Sequence, residues 1–234
     1  MKYYNHNGKL VDYDTSNSKK ELSGNTATAH FFDDYVFKKY SEEIKVFRIN
    51  FQIFNFMRYI KNRHLAEIYE LLICADKYDS NMNSQTNFSL KLIDGYTMPI
   101  YNPDDINVLD KDLEYIFEMI YEFDQLIKLL TYMKILIDDV RPDNSIIQEN
   151  NIILLDWDTF RICYNIDFET LLKANQDRIN TFLLDLFFSF STEREDEALF
   201  NLKGNIRFDK SLLSQEITKD LKKYRTMREY LNHQ

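Results

Sequence analysis

The sequence has 234 residues, 44% of them hydrophobic and 29% charged, which is typical of a globular protein with one large domain or two small lobes. The formal net charge of −9 argues against binding to nucleic acid or to a membrane surface, because both attract positively charged proteins. The first residues lack the apolar core of a secretory leader, and no apolar run approaches the roughly 18 residues of a membrane span. We therefore expect a cytoplasmic protein, with Cys74 and Cys163 as buried free thiols.

The first hundred residues predict a strand-rich half with one long helix. Aspartates at 33 and 34 separate two β-like runs, and from Ser41 apolar residues recur at steps of three and four. The predicted elements are a hairpin with strands at 30–32 and 35–37, a helix from Ser41 to about Lys61, strands at 65–75 and 88–93, and a turn at 81–87. Pro99 and Pro103 then end the regular structure.

The second half is predicted to be mainly helical. Apolar residues follow a single helical face from Leu113 through Lys134, with Asp110 or Asp112 as the N-cap. The remaining predicted elements are strands at 145–147 and 152–155 joined by a turn at 149–151, helices from about residue 167, and a final helix at 217–231. Strands at the front and helices at the back predict an α+β protein.

The segment from Asp139 to Asp156 contains side chains suited to binding magnesium. Asp139 and Asn144 stand five residues apart across a loop that Pro142 stiffens, and Asp156 follows the second strand of the predicted hairpin. That hairpin would return Asn144 and Asp156 to the same end, where their oxygens suit Mg²⁺. Asp139 is then left to orient an attacking hydroxyl. The alternative interpretation is that these Asp and Asn residues only form turns.

This segment resembles the catalytic loop and the metal-binding loop of the protein kinase superfamily, whose patterns are H-R-D-x-x-x-x-N and D-F-G. The resemblance makes Asp139 the catalytic aspartate and places Arg141 at a position that is often lysine in Ser/Thr kinases. It also makes Asn144 and Asp156 the metal-binding residues. The cofactors that it implies are ATP and Mg²⁺.

Two parts of the segment depart from the kinase patterns. Ile137-Asp138 replaces His-Arg, and Trp157-Asp158 replaces Phe-Gly. The second departure resembles aminoglycoside- and choline-kinase-type enzymes, in which an acidic residue commonly lies two positions after the metal aspartate, so Asp158 is also assigned to the metal. No proline follows Pro142, which excludes the A-P-E motif of conventional protein kinases and predicts a reduced C-lobe.

The resemblance also assigns residues in the front half. A loop containing Gly24, Asn25 and Thr26 precedes the predicted hairpin and is expected to cover the phosphates of ATP. Lys38 ends a run that resembles the V-A-I-K strand and is assigned to pair with the phosphates. Lys39 is the competing candidate, although strand alternation places Lys38 on the same side as Val36. The alternative is that both are solvated lysines on an edge strand.

The helix from Ser41 is expected to carry a glutamate that pairs with this lysine, but no glutamate lies between Glu43 and Glu67. Gln52 is the residue assigned to that position, and an amide adds no charge. The backbone from Tyr96 to Met98 is assigned to a hinge that faces the adenine. An ordinary turn at Gly95 is the alternative interpretation of that segment.

The sequence therefore predicts a two-lobed protein-kinase-like fold with an N-lobe over residues 1–98 and a C-lobe over residues 99–234. The predicted function is transfer of the γ-phosphate of Mg²⁺-bound ATP to a hydroxyl of a protein or of a small molecule. Two alternatives remain. One is a pseudokinase-like module that binds nucleotide without turnover, and the other is an unrelated helical protein.

Overall fold

A computed structural model describes residues 1–41, 51–60, 62–206 and 211–234. Over these ranges the chain forms a seven-stranded antiparallel sheet, two small two-stranded sheets and seven α-helices. The predicted α+β class is confirmed. The chain divides into two compact units, the first comprising Met1–Asn102 with Asp158–Phe160, and the second comprising Pro103–Trp157 with Arg161–Gln234.

The first unit is built on the seven-stranded sheet. Its strands are β1 (Lys2–Asn5), β2 (Leu10–Asp12), β3 (Lys20–Ser23), β4 (Ala27–Phe31), β5 (Tyr35–Tyr40), β6 (Glu70–Cys74) and β7 (Gly95–Pro99), in the order β2-β1-β6-β7-β5-β4-β3. Helix α1 (Phe51–Tyr59) lies between β5 and β6 in the chain, and α2 (Ser84–Leu90) between β6 and β7. The predicted hairpin at Asp33-Asp34 is confirmed, because β4 pairs with β5 and Phe31 lies opposite Val36.

Several predicted elements of this unit differ from the structure. Residues 88–90 of the strand predicted at 88–93 and residues 84–87 of the turn predicted at 81–87 form helix α2 instead, and residues 91–93 are not a strand. Asn83 caps this helix by accepting a hydrogen bond from the backbone N–H of Thr86 at 2.8 Å, a start signal that the apolar residues after it obscured. The strand predicted at 65–75 is shorter, Glu70–Cys74. Residues 42–50 and 61 of the predicted helix lie outside the described residues.

The segment assigned to the hinge is a strand within the sheet. Tyr96 of β7 lies opposite Lys38 of β5 on one side and Leu71 of β6 on the other, and both Tyr96 and Met98 are buried. Neither the predicted hinge at Tyr96 to Met98 nor the alternative turn at Gly95 is correct. Position 95 is a glycine because the neighbouring strand approaches closely and leaves no room for a Cβ atom.

The second unit contains five helices and four short strands among its described residues. Its helices are α3 (Leu113–Tyr132), α4 (Phe168–Phe190), α5 (Glu193–Ile206), α6 (Gln215–Leu221) and α7 (Met227–Asn232), and its strands are β8 (Ile135–Leu136), β9 (Ser145–Gln148), β10 (Asn151–Leu154) and β11 (Arg161–Ile162). Helices α3 and α4 pack together through the buried rings of Phe123 and Phe182, whose centroids are 6.1 Å apart. The single helix predicted at 217–231 is two helices, because Thr226 caps the start of α7.

The two cysteines are free thiols, and each is half-buried. The prediction of free thiols is confirmed, and the prediction that both are buried is wrong. No helix among the described residues has the length and apolarity needed to cross a bilayer.

The close approach at Gly95 gives a prediction for stability. A Cβ atom at this position would lie 2.4 Å from the carbonyl oxygen of Lys38 and 2.7 Å from a ring carbon of Phe37. Since the first of these atoms belongs to the backbone, we expect Gly95→Ala to lower the free energy of unfolding by about 2–3 kcal/mol in urea titrations.

Gly204 of α5 is the matched control, because an added Cβ meets nothing within 4 Å. Gly204→Ala should raise stability by about 0.5–1 kcal/mol, and equal stabilities of the two variants would contradict this account of β7.

Candidate functional site

Lys38 forms a buried ion pair in the first unit. Its ammonium nitrogen Nζ lies 3.6 Å from Oδ2 of Asp158, and the two side chains are 16% and 5% exposed. Tyr40 donates a hydrogen bond from its hydroxyl to the same carboxylate oxygen. The carboxylate is therefore contacted by a cation and by a hydroxyl donor in a place largely shielded from water.

The alternation of side chains along β5 produces this arrangement. Lys38 and Tyr40 are two residues apart, so both project from the same face of the sheet. Tyr96 lies opposite Lys38 on the neighbouring strand, and Nζ of the lysine is 5.6 Å from the centroid of its ring. Because β5 lies between β4 and β7, the alternative of a solvated lysine on an edge strand is wrong.

Two of the predicted site residues have different surroundings from those we expected. Asp158, assigned to the metal, directs its carboxylate to Lys38 and Tyr40. Gln52, assigned as the partner of the lysine, is exposed on α1. The pairing of Lys38 with Asp158 could not be predicted from the sequence because the two residues are far apart in the chain. Tyr40 and Asp158 are 118 residues apart, and no local pattern reports such a contact.

The residues assigned to cover the phosphates form the turn between β3 and β4. Gly24 donates a backbone hydrogen bond to the carbonyl of Ala27 at 2.9 Å, and Asn25 and Thr26 complete the turn. The backbone carbonyl of Thr26 accepts a hydrogen bond from the N–H of Ser41 at 3.0 Å, just after β5 ends. The structure thus ties this turn to the end of the strand that carries Lys38.

In the second unit, Asp139 has an unusual backbone conformation. Its φ of +49° lies in the left-handed region, which asparagine and aspartate enter more often than other residues that have a side chain. Its carboxylate is 48% exposed, and its Oδ1 atom lies 3.1 Å from Nε of Arg141. Such backbone strain persists where the surroundings impose it, and it often marks a functional site.

The predicted hairpin after this loop is confirmed. Pro142–Asn144 forms one turn of 3₁₀ helix, and β9 then pairs with β10 so that Ser145 lies opposite Leu154. The backbone N–H of Leu155 donates to the carbonyl of Asn144 at 2.8 Å. Asn144 therefore lies beside the residue that immediately precedes Asp156.

Asn175 of α4 holds the backbone that leads into Asp139. This side chain is fully buried. Its Oδ1 accepts a hydrogen bond from the N–H of Ile137 at 2.8 Å, and its Nδ2 donates to the carbonyl of Ile135 and to the hydroxyl of Thr131, both at 3.0 Å. The amide thus satisfies one donor and two acceptors in the interior of the second unit.

Asp138 provides a second anchor for the same loop. Its carboxylate accepts a hydrogen bond from the N–H of Asp139 at 3.1 Å, pairs with Arg178 of α4, and lies 2.5 Å from a terminal nitrogen of Arg161 in β11. In the sequence this residue was noted only as a departure from His-Arg. The structure shows that it connects the loop to α4 and to the strand after Trp157–Thr159.

Few side chains in the described part of the chain are placed to bind a metal ion together. Among the described residues, no group of three or more His, Cys, Asp or Glu side chains is arranged to hold a metal ion. Asn144 and Asp156 offer an amide and a carboxylate at one end of the β9–β10 hairpin. This set fits Mg²⁺, which is commonly bound through one or two protein carboxylates, with water and substrate phosphates completing its coordination.

Comparison with known proteins adds no family to these observations. No protein-family model matches the chain, and no curated protein sequence matches it. The function is therefore argued from the chemistry and the geometry of the residues themselves.

Proposed function

We propose that the chain is an ATP- and Mg²⁺-dependent phosphotransferase with a two-lobed protein-kinase-like fold. The first unit is the N-lobe and the second is the C-lobe. The observation that carries the proposal is the order of parts along the chain. A hairpin turn at Gly24 comes first, then a largely buried, ion-paired lysine on β5, the second strand after that turn, then a helix, and then the Asp139-to-Asp156 segment with its hairpin. Protein kinases use a phosphate-covering loop, a strand lysine, a helix, a catalytic loop and a metal loop in that order.

The residues of the first unit bind the nucleotide in this proposal. The ammonium of Lys38 pairs with phosphate oxygens, and the backbone of the Gly24–Thr26 turn covers them. The burial of Lys38 supports this role, since a cation shielded from water attracts an anionic phosphate more strongly than an exposed one. The ring of Tyr96, whose centroid lies 5.6 Å from Nζ of Lys38, helps to hold the ammonium group against this face of the sheet.

The residues of the second unit bind the metal and prepare the acceptor. Asn144 and Asp156 hold Mg²⁺, which neutralises phosphate charge when bound. Asp139 orients the acceptor hydroxyl and takes its proton as the oxygen attacks the γ-phosphorus and ADP departs. Half of the Asp139 carboxylate surface is exposed, so an acceptor can reach it. Nε of Arg141 lies 3.1 Å from Oδ1 of Asp139 and helps to orient that carboxylate.

A second candidate function is a pseudokinase-like module that binds nucleotide without turnover. The observation that favours it is the exposed Gln52 on α1, a helix whose described residues contain no carboxylate to pair with Lys38. The replacement of His-Arg by Ile137-Asp138 points in the same direction. Both candidates share the nucleotide site and differ only in phosphoryl transfer.

Thermal unfolding tests the shared site. A ligand that binds only the native state at a hundred times its Kd stabilises that state by about 2.7 kcal/mol, so ATP with Mg²⁺ should raise the melting temperature. Asp156→Ala should lose the Mg²⁺-dependent part of this increase. Asp143→Ala is the matched control, because its side chain is 69% exposed in the same loop, and it should retain the full increase.

A melting temperature that does not respond to millimolar ATP would remove the main support for both candidates. An equal loss in the Asp156 and Asp143 variants would show that the effect reflects the net charge of the loop rather than a metal site at Asp156.

A further inference from the structure

We propose that Asp158 is the positioning residue for Lys38, a role that conventional protein kinases give to a glutamate of the helix after the lysine strand. The inference rests on the proposed function, because it concerns the lysine that binds the phosphates. Asp158 is then the partner of the lysine and not a metal ligand. The negative charge that holds the lysine lies two residues after Asp156.

The geometry of the pair supports the assignment. The Oδ2 atom of Asp158 lies 3.6 Å from Nζ of Lys38 and also accepts the hydroxyl hydrogen bond of Tyr40. Tyr40 is itself buried and fixes the carboxylate from the same strand that carries the lysine. Two contacts from alternate residues of β5 thus converge on one oxygen, which defines where the carboxylate lies and where the ammonium must lie.

The charge inventory around the strand supports it as well. No aspartate or glutamate occurs between Glu43 and Glu67, and the described part of α1 carries a single charged residue, the cation Arg58. Asp158 supplies a negative charge directly beside the ammonium of Lys38, and the burial of its carboxylate makes pairing with a cation favourable.

This arrangement links two functions within a short stretch of chain. A step of two residues spans at most about 7 Å, so the carboxylate that holds the lysine is carried by the same segment as the metal ligand Asp156. Asp158–Phe160 belongs to the compact first unit, whereas Asp156 belongs to the second. The lysine is therefore contacted by the segment that follows the metal ligand in the chain.

Acylation of lysines in the nucleotide-free full chain tests the pair without reference to ATP. An amine-reactive acetylating reagent followed by peptide mass mapping gives the rate at Lys38. In Asp158→Asn the lysine loses its contact with this carboxylate, and a less firmly held side chain makes the amine more accessible to the reagent. We expect the rate at Lys38 to rise by about tenfold or more, with a smaller increase in Tyr40→Phe, which keeps the charge and loses only the hydroxyl contact.

Asp33→Asn is the matched control. Asp33 pairs with Lys19 in an exposed ion pair, so this variant should change acylation at Lys19 slightly and at Lys38 not at all. An unchanged rate at Lys38 in Asp158→Asn would overturn the inference. If that variant does not fold, Tyr40→Phe decides the matter, since an unchanged Lys38 rate in it would equally count against a carboxylate held by the tyrosine.

Kinetics with ATP separate positioning from metal binding. If Asp158 positions the lysine, Asp158→Asn should raise the KM for ATP by about tenfold with kcat within about threefold of wild type, and Asp158→Glu should recover part of the loss. A rise in ATP affinity would show instead that Asp158 blocks the lysine, and would refute the assignment. A wild-type chain that binds no ATP would refute the proposed function, while the acylation rates would still report on the pair.

Discussion

Replacing Asp139 with asparagine should lower the turnover number for phosphoryl transfer by about 10²-fold or more, the usual loss for a positioned general base. The amide keeps the shape of the side chain and cannot take the acceptor proton. Because Asp139 is assigned to the acceptor and not to the phosphates, the Kd for Mg²⁺-bound ATP should remain nearly unchanged. Steady-state rates with a panel of proteins and small alcohols, together with calorimetric Kd values, measure both quantities.

Variants of other residues in the same segment separate the role of Asp139 from metal and nucleotide binding. Asn144→Ala and Asp156→Ala should weaken metal and nucleotide binding together, since both are assigned to Mg²⁺. Asp143→Asn, in the exposed part of the loop, should change neither quantity. Equal loss of ATP binding in the Asp139, Asn144 and Asp156 variants would show that the roles within the loop are wrongly assigned. A wild type that binds ATP and transfers no phosphate to any acceptor would favour the pseudokinase-like module.

Replacing Asn175 with alanine should lower the free energy of unfolding by about 2–6 kcal/mol. The amide hydrogen-bonds the N–H of Ile137 and the carbonyl of Ile135, and each buried backbone group left without a partner costs about 1–3 kcal/mol. Activity should fall as well, because the backbone before Asp139 loses its anchor. Urea unfolding and steady-state kinetics on the same preparations measure the two effects.

Two variants sharpen the test of Asn175. Asn175→Asp retains an oxygen for the Ile137 N–H but places a buried carboxylate against the Ile135 carbonyl, so at neutral pH its stability should fall at least as far as that of Asn175→Ala. Lys173→Ala changes an exposed residue on the same helix and should alter stability by less than about 0.5 kcal/mol. A stability of Asn175→Ala equal to that of the Lys173 variant would contradict the anchoring role.

The parts of the fold that were predicted correctly are those determined by local sequence. The Asp33-Asp34 hairpin, the long helix α3 and the β9–β10 hairpin each have a turn signal or a sustained period that reports their structure directly. Helix α2 was missed because the apolar residues Phe88 and Leu90 also fit a strand, and the start of the helix depends on one capping residue, Asn83. Strand β7 was missed because its glycine reflects packing against Lys38 and not a turn.

The residues of the candidate site also differ in whether the local sequence predicts them. The order of Asp139, Asn144 and Asp156 is visible in the sequence because a loop and a hairpin connect them over a short distance. The contacts of Asp158 and Asn175 depend on strands and helices that are distant in the chain. A buried asparagine on a helix and a carboxylate after a tryptophan look like ordinary polar residues until tertiary packing shows what they touch.

Calorimetric titration of ATP into the full chain with excess Mg²⁺ tests the central claim most directly. The account predicts a saturable heat from a single class of site, a marked loss of affinity when the metal is chelated, and the same loss in Asp156→Ala in the presence of Mg²⁺. The absence of heat at millimolar ATP, with and without Mg²⁺, would contradict the claim that this chain binds the nucleotide.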